Sequence, residues 1–143
     1  AVTRTTSGDT YATFSAGNIT ANTEYFASLQ AYGTGSMNSS GSTMIQEQGG
    51  GYRWIDTLIA NGTTVANTWT RYAVSLTTPS DLASSTVRVI LRSGPAVNDV
   101  LNYDAIMLTK GNTDYTYGDG TIENWSWTGT PHNSTSFGPA LPQ

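Results

Sequence analysis

The sequence predicts an all-β fold, an antiparallel β-sandwich followed by an irregular C-terminal tail. Short segments of the chain alternate apolar and polar residues, and Gly, Asn and Pro residues separate these segments at fairly regular intervals. No sustained apolar period of about 3.6 residues indicates a helix. This combination is typical of sheets that bury one face and expose the other to water.

The composition limits the classes of function open to the chain. A length of 143 residues is expected to give one main domain with its own core. The absence of cysteine excludes disulfides and thiolate metal sites. Charged residues make up 11% of the chain and the net charge is -4, so we expect no nucleic-acid partner. No apolar segment is long enough to cross a bilayer, so we expect no membrane insertion.

The first half of the chain predicts five strands. In the clearest of them Tyr25, Ala27 and Leu29 alternate with polar or aromatic neighbours, which places them on one face. The Asn61-Gly62 dipeptide accepts the positive φ angles of a type I′ turn and predicts a hairpin over residues 58–65. The five predicted strands are residues 2–6, 10–14, 24–32, 43–48 and 52–60.

The second half predicts a strand over residues 69–76 and two central strands within residues 86–111. Val87, Val89 and Leu91 form an inner face opposite two arginines. In the last strand the same alternation groups Asp104 with the apolar Ile106 and Leu108, so Asp104 is expected to point inward or to lie at the end of the sheet, and Tyr103 to point outward. Trp69, which opens the preceding strand, is expected to pack in the core.

Several short motifs, taken in their order and spacing, resemble carbohydrate-binding modules of the family 4, 9 and 22 type. The resemblance covers roughly residues 20–111 and implies a jelly-roll sandwich. The start of the chain lacks the Asn-Gly-Asp-Phe-Glu-like run from which some relatives draw an acidic ligand for structural calcium. The motifs are Thr23-Glu24-Tyr25-Phe26, Trp69-Thr70-Arg71-Tyr72, Val87-Arg88-Val89, Tyr103-Asp104-Ala105 and Leu108-Thr109-Lys110-Gly111.

A second resemblance concerns residues 125–136, WSWTGTPHNSTS. This segment is similar to one that follows such modules in tail proteins of bacteriophages of Gram-positive bacteria, including distal tail proteins enlarged by inserted carbohydrate-binding modules. The resemblance implies an extracellular virion tail protein that meets the bacterial host surface on adsorption. Past Gly111 the sequence becomes rich in Gly, Pro, Thr, Ser and aromatic residues, so we divide the chain into a module of residues 1–112 and an irregular C-terminal extension or linker of residues 113–143. This extension either packs on the sandwich or leads to a further domain.

Sugar recognition requires flat aromatic faces for the C–H surface of a pyranose and planar hydrogen-bonding groups for its hydroxyls. Outer-face arginines that are merely solvated are the alternative interpretation. The candidate carbohydrate-binding residues are Trp54, Tyr52, Tyr103, Gln30, Arg88 and Arg92, with Tyr32, Gln46, Glu47, Trp125 and Trp127 as further groups of the same two kinds.

Metal and catalytic chemistry have weaker sequence support. The expected inward position of Asp104 requires a hydrogen bond or a metal ion, and the resemblance makes a structural calcium its candidate ligand, although no cofactor is required. The sole histidine, His132, lies in an irregular stretch and provides neither a zinc site nor a recognisable catalytic triad. Glu47 and Asp56 are carboxylates without a glycosidase motif. We expect no enzymatic activity.

The expected function is that of a non-catalytic carbohydrate-binding module of a phage tail protein, which binds host cell-wall polysaccharide for adsorption. Its partners would be that polysaccharide and other tail domains. The alternative is a structural spacer or decoration domain of the tail without a sugar site. Exposed aromatics would favour the first hypothesis and uniformly buried ones the second, whereas an extended apolar patch would indicate a protein receptor.

Overall fold

The computed structural model describes residues 2–3, 11–33, 43–49, 51, 53–60, 63–65, 67–92, 100–131 and 136–138. Within these residues all regular structure is β-strand, so the prediction of an all-β fold is confirmed. No helix in these ranges is long and apolar enough to cross a membrane. The chain divides into two compact units, Ala1–Asn112 and Thr113–Gln143.

The first unit is a sandwich of two antiparallel sheets with four strands each. The strand orders are β1-β8-β3-β6 and β2-β7-β4-β5, so all neighbouring strands except β4 and β5 come from distant parts of the chain. This arrangement agrees with the predicted jelly-roll sandwich. Its strands are β1 (Val2–Thr3), β2 (Tyr11–Ala16), β3 (Glu24–Gly33), β4 (Thr43–Glu47), β5 (Trp54–Ile59), β6 (Thr70–Thr77), β7 (Val87–Arg92) and β8 (Val100–Lys110).

One apolar cluster fills the space between the sheets. Ala27 and Leu29 of β3 contribute to it from one sheet, and Val87 and Val89 of β7 contribute from the other. All four side chains are buried, as the alternation in these strands predicts. Each fully buried Val, Leu or Ile side chain contributes about 1.5–3 kcal/mol relative to an exposed one, so this cluster is the main source of stability of the sandwich.

The β8 strand changes face in its middle. Its pairing with β3 shifts by one residue between Ser28 and Gln30, which marks a β-bulge on β8. At the bulge Ala105 has a φ of 50°, a left-handed conformation that is unfavourable for a residue with a Cβ atom. Tyr103 before the bulge and Ile106 after it both pack against the core, although an unbroken alternation would place them on opposite faces.

The predicted phase of β8 is therefore wrong before the bulge. Asp104 is exposed rather than inward, and Tyr103 packs inward rather than outward. The extra residue reverses the alternation, and Ala105 gives no sequence signal of a bulge because glycine usually occupies such a position.

The predicted hairpin over residues 58–65 is only partly described. The Thr63 amide donates a hydrogen bond to the Ala60 carbonyl at 3.2 Å, whereas Asn61 and Gly62 lie outside the described residues. Within residues 63–65 the structure has a single bridge at Thr64 and no strand. The sheet partner of β5 is β4.

The second unit contains two short strands, β9 (Ser126–Trp127) and β10 (Ser136–Phe137), which pair antiparallel. The Trp125 ring packs so closely on Gly118 and Gly138 that a Cβ atom on either glycine would come within 2.6 Å and 2.3 Å of it. A Cβ atom on Gly120 would lie 2.4 Å from the Trp127 ring. Three glycines thus give the two indoles their packing space.

The bulge predicts an unusual response to glycine. Replacing Ala105 with Gly should raise the free energy of unfolding by about 1 kcal/mol, because glycine adopts the left-handed conformation without a Cβ clash. The matched control is Ala73→Gly at an exposed position in β6. This substitution should lower the free energy of unfolding by roughly 0.5–1 kcal/mol. Urea unfolding of both variants measures the difference, and equal destabilisation by both would contradict the described bulge.

Candidate carbohydrate-binding face

A row of polar and aromatic side chains crosses the outer face of the β2-β7-β4-β5 sheet. Ser15 pairs with Arg88, Arg88 with Gln46, and Gln46 with Trp54. Residues directly opposite in antiparallel strands share a face, so these four side chains lie side by side across the sheet. We call this surface the Arg88 face.

Arg88 and Gln46 form a hydrogen-bonded pair at the centre of the row. The Arg88 Nε donates to the Gln46 Oε1 at 2.7 Å, and Gln46 is only 4% exposed. Arg88 itself is half-buried, so it is not the merely solvated arginine of the alternative interpretation. Burial and the hydrogen bond fix the orientation of both planar groups before any ligand arrives.

Trp54 lies beside this pair at the edge of the sheet. Its side chain is 49% exposed, although it belongs to a regular strand and pairs with the buried Gln46. The exposed indole offers a flat apolar face, and the guanidinium of Arg88 offers hydrogen-bond donors on the same surface. Tyr52, the other aromatic predicted for this region, lies outside the described residues.

The opposite corner of the same face contains a second aromatic group. Tyr11 pairs with Arg92, whose guanidinium carbon lies 5.6 Å from the centroid of the tyrosine ring. Tyr11 is 53% exposed, whereas Ile90, between the two arginines, is 2% exposed. Strand spacing and rise place Tyr11 and Trp54 roughly 20 Å apart at their Cα atoms. The Arg88 face is thus long enough for several sugar units.

Tyr11 lies on the Arg88 face, and the sequence prediction did not include it among the candidate residues. The signal was present, because Phe14 and Ala16 of β2 pack against the core and Tyr11 has the opposite parity. The sequence does not reveal that β2 pairs with β7, and only this pairing brings Tyr11 beside Arg92.

The structure does not bring Gln30 to the Arg88 face. Gln30 lies in β3 of the other sheet, where it pairs with Arg71 on one side and Asp104 on the other. Trp69, the residue before β6, was expected to pack in the core, but its side chain is 51% exposed. Trp69 has the same parity as the exposed Arg71 and Ala73 of β6, so strand alternation turns its indole to the outer face.

Tyr103 is a packing residue that connects the two sheets. Its hydroxyl donates to the Arg92 carbonyl at 2.6 Å and lies 3.1 Å from the Thr43 hydroxyl. Because the single hydroxyl proton goes to the carbonyl, Thr43 is the donor in the second bond. Burial raises the pKa of Tyr103 to about 12. Tyr103 therefore supports the Arg88 face from beneath and does not present its ring to a ligand.

The exposed Asp104 carboxylate has a local partner. Its Oδ1 accepts a hydrogen bond from the Ala105 amide at 2.7 Å, which satisfies an N–H group at the bulge. Within the described ranges no three His, Cys, Asp or Glu residues are grouped so as to hold a metal ion. A structural calcium at Asp104 stays a prediction that no observation supports.

Glu47, one of the two carboxylates considered for catalysis, has a structural role. It is 2% exposed, and one oxygen accepts hydrogen bonds from the Ala83 and Ser84 amides, the latter at 3.1 Å. Its other oxygen lies 2.9 Å from an Arg53 nitrogen. Glu47 thus anchors the loop before β7 to the end of β4.

The second carboxylate, Asp56, accepts a hydrogen bond from the Thr57 amide at 2.7 Å. Arg53, which pairs with Glu47, also forms an ion pair with the exposed Asp81 at 2.9 Å. Hydrogen bonding from Arg53 lowers the pKa of the Asp81 carboxyl. These contacts give the described carboxylates of this region local structural partners.

Comparisons with known proteins agree with the fold. No protein-family profile and no curated protein matches the sequence. A solved structure described as "CBM4 structure and function" is similar, with a TM-score of 0.57 and 14% sequence identity. The match covers 75% of this chain and 64% of the solved chain, so this chain spans less than two thirds of the length of the solved one. At this identity the likeness shows a shared β-sandwich jelly-roll fold.

Tyr103 predicts a loss of stability at high pH. Its pKa is about 12 in the folded chain and about 10 in an unfolded one. Stability from the protonated hydroxyl is therefore complete below about pH 10 and is lost as the pH rises to about 12, by about 2–3 kcal/mol. Urea unfolding of the wild type and of Tyr103→Phe between pH 8 and 12 tests this. The unfolding free energies of the two proteins should converge as the pH rises. A difference that stays constant with pH would contradict the buried, hydrogen-bonded position of the Tyr103 hydroxyl.

Removing the Glu47 carboxylate should cause a large loss of stability. The Glu47→Ala variant should lose roughly 2–4 kcal/mol of unfolding free energy, because two backbone amides and a guanidinium lose their buried acceptor. The matched control, Asp81→Ala, removes an exposed partner of the same arginine and should change little. Thermal and urea unfolding of both variants provide the comparison, and equal effects would contradict an anchoring role for Glu47.

Proposed function

We propose that the chain is a non-catalytic carbohydrate-binding module whose ligand lies on the Arg88 face. The observation that carries this proposal is the half-exposed Trp54 beside the preorganised pair of Gln46 and Arg88. The likeness of the fold to a solved structure described as CBM4 is in line with it.

The chemistry of the face fits a sugar polymer. The C–H surface of a pyranose would stack on the Trp54 indole, while the Arg88 guanidinium, which the buried Gln46 holds in place, would donate hydrogen bonds to ring hydroxyls. Because burial already orients Gln46 and Arg88, binding would cost little side-chain entropy there. Tyr11 and Arg92 at the far corner would contact a later unit of the same polysaccharide.

The biological setting that we propose is a bacteriophage tail. The sequence resemblance of residues 125–136 to tail proteins of phages of Gram-positive bacteria supports it. In this setting the module is extracellular, its ligand is a cell-wall polysaccharide of the host, and other tail domains are its protein partners. Individually weak contacts would gain avidity from the many copies on a virion.

Two alternatives are less well supported. A spacer domain needs no exposed aromatics in a polar row, whereas Trp54 and Tyr11 are each about half exposed. A glycosidase needs two carboxylates facing a cleft, whereas Glu47 is buried and bonded to backbone amides. The non-catalytic binding function therefore accounts for more of the geometry.

Substitution of Trp54 tests the proposed site. A fluorescent fusion of the 143-residue chain should bind cell-wall polysaccharide from at least one Gram-positive species, and Trp54→Ala should weaken binding about tenfold or more. Tyr117→Ala, which removes an exposed aromatic outside the sandwich, is the matched control and should bind as the wild type does. Failure of the folded wild type to bind any wall fraction would refute the proposed function.

A further inference from the structure

The outer face of the β1-β8-β3-β6 sheet presents a second aromatic platform. The Trp69 ring lies 5.5 Å from the Tyr32 ring, with 35° between their planes. Trp69 is 51% exposed and Tyr32 is half-buried. The pair therefore offers a broad aromatic surface to solvent on the side of the sandwich opposite the Arg88 face. We call this outer surface the Trp69 face.

A row of planar polar groups lies next to this platform. Gln30 pairs with Arg71 on β6 and with Asp104 on β8, so the three side chains share the outer face. Gln30 is two residues before Tyr32 in β3, which places the polar row about 7 Å from the aromatic row. Within the row, neighbouring strands are about 4.8 Å apart. Both distances match the dimensions of a single pyranose ring and its substituents.

The bulge in β8 is what brings Asp104 into this row. With an unbroken alternation Asp104 would share the inner face with Ile106 and Leu108, which pack against the core. The register shift and the left-handed Ala105 instead turn the carboxylate outward, beside Gln30. Bulges commonly re-aim a side chain at binding sites, and an unfavourable conformation kept at one position supports a functional reason for it.

We propose that the Trp69 face is a second carbohydrate-binding surface that takes a neutral pyranose. The ring would stack on Trp69 and Tyr32, and its hydroxyls would bond to the Gln30 and Asp104 side chains. The Arg71 guanidinium lies 6.0 Å from the centroid of the Phe26 ring, on the side of Gln30 away from Tyr32, and contributes its charge to the row. The positive Arg71 and the negative Asp104 balance each other across the row, which suits an uncharged sugar better than an anionic one. The ligand class rests on the proposed function, whereas the location of this surface rests on its own contacts.

Two binding surfaces on opposite sheets have a direct consequence. A single module would hold two polysaccharide strands at once, or two branches of one strand, without any dimerisation. The gain in effective concentration for the second contact would come from the sandwich itself, because a rigid body holds the two faces at a fixed separation.

Site-resolved NMR tests this proposal on the full chain. The four tryptophans give four indole N–H signals, which Trp→Phe variants assign. The probes are neutral tetrasaccharides built from glucose, galactose, rhamnose or N-acetylglucosamine. At least one should move the Trp69 signal, and Trp54→Ala should leave that movement unchanged. Asp104→Asn should weaken binding at the Trp69 face several-fold, while Ser75→Ala, an exposed control further along β6, should not.

The possible results separate the two proposals. Movement of the Trp54 signal alone would overturn the second surface and leave the proposed function intact. Movement of the Trp69 signal alone would support the second surface and refute the Arg88 face as the site for these sugars. The second surface would be overturned if the chain is folded and no probe moves either signal. It would also be overturned if the Trp69 signal moves only with protein concentration, because the face would then be a contact between copies of the chain.

Discussion

The β8 strand presents its side chains in two phases, and the register shift at Ala105 joins them. Before the shift Tyr103 points between the sheets and bonds to the Arg92 carbonyl of β7. After it Ile106 packs against the core. One residue with a left-handed backbone thus determines how the central strand connects both sheets and which of its polar groups meets solvent. The surfaces of the sandwich depend on this irregularity in its interior.

The Arg88 face combines burial with polarity in a way that an ordinary outer face does not. Gln46 is almost fully buried and bonded to Arg88, and burying such groups costs free energy unless their hydrogen bonds are satisfied. Ile90 on the same face is equally shielded. The result is a rigid floor with an exposed aromatic at each of two corners. Because Gln46 and Arg88 are already held in place, a ligand on this face would cost little side-chain entropy at these two groups.

The sequence allowed the strands to be predicted well but not their neighbours. Strict alternation in β7 identified Val87 and Val89 as core and Arg88 as outer, and the structure agrees. It did not show that β7 lies between β2 and β4, so Tyr11 was missed. Gln30 was grouped with Arg88 for the same reason, because sheet membership follows from long-range pairing that no local pattern encodes.

Two further errors have local physical causes. Asp104 was placed inward because a bulge at Ala105 has no signal in a residue type that rarely adopts a positive φ. Trp69 was placed in the core because large aromatics usually pack there, whereas it shares the parity of the outward Arg71 and Ala73 and is 51% exposed. Both errors concern side chains that the structure places on an outer face.

The close packing of Trp125 and Trp127 on Gly118, Gly120 and Gly138 determines how the second unit can vary. Because each glycine faces an indole at a distance that admits no Cβ atom, even alanine at these positions would force the rings to move. The mutational tolerance of this unit is therefore set by the spacing of its glycines as much as by its aromatic residues. Distant relatives of the unit should be recognisable by that joint pattern of glycine and tryptophan, even where the intervening residues have diverged.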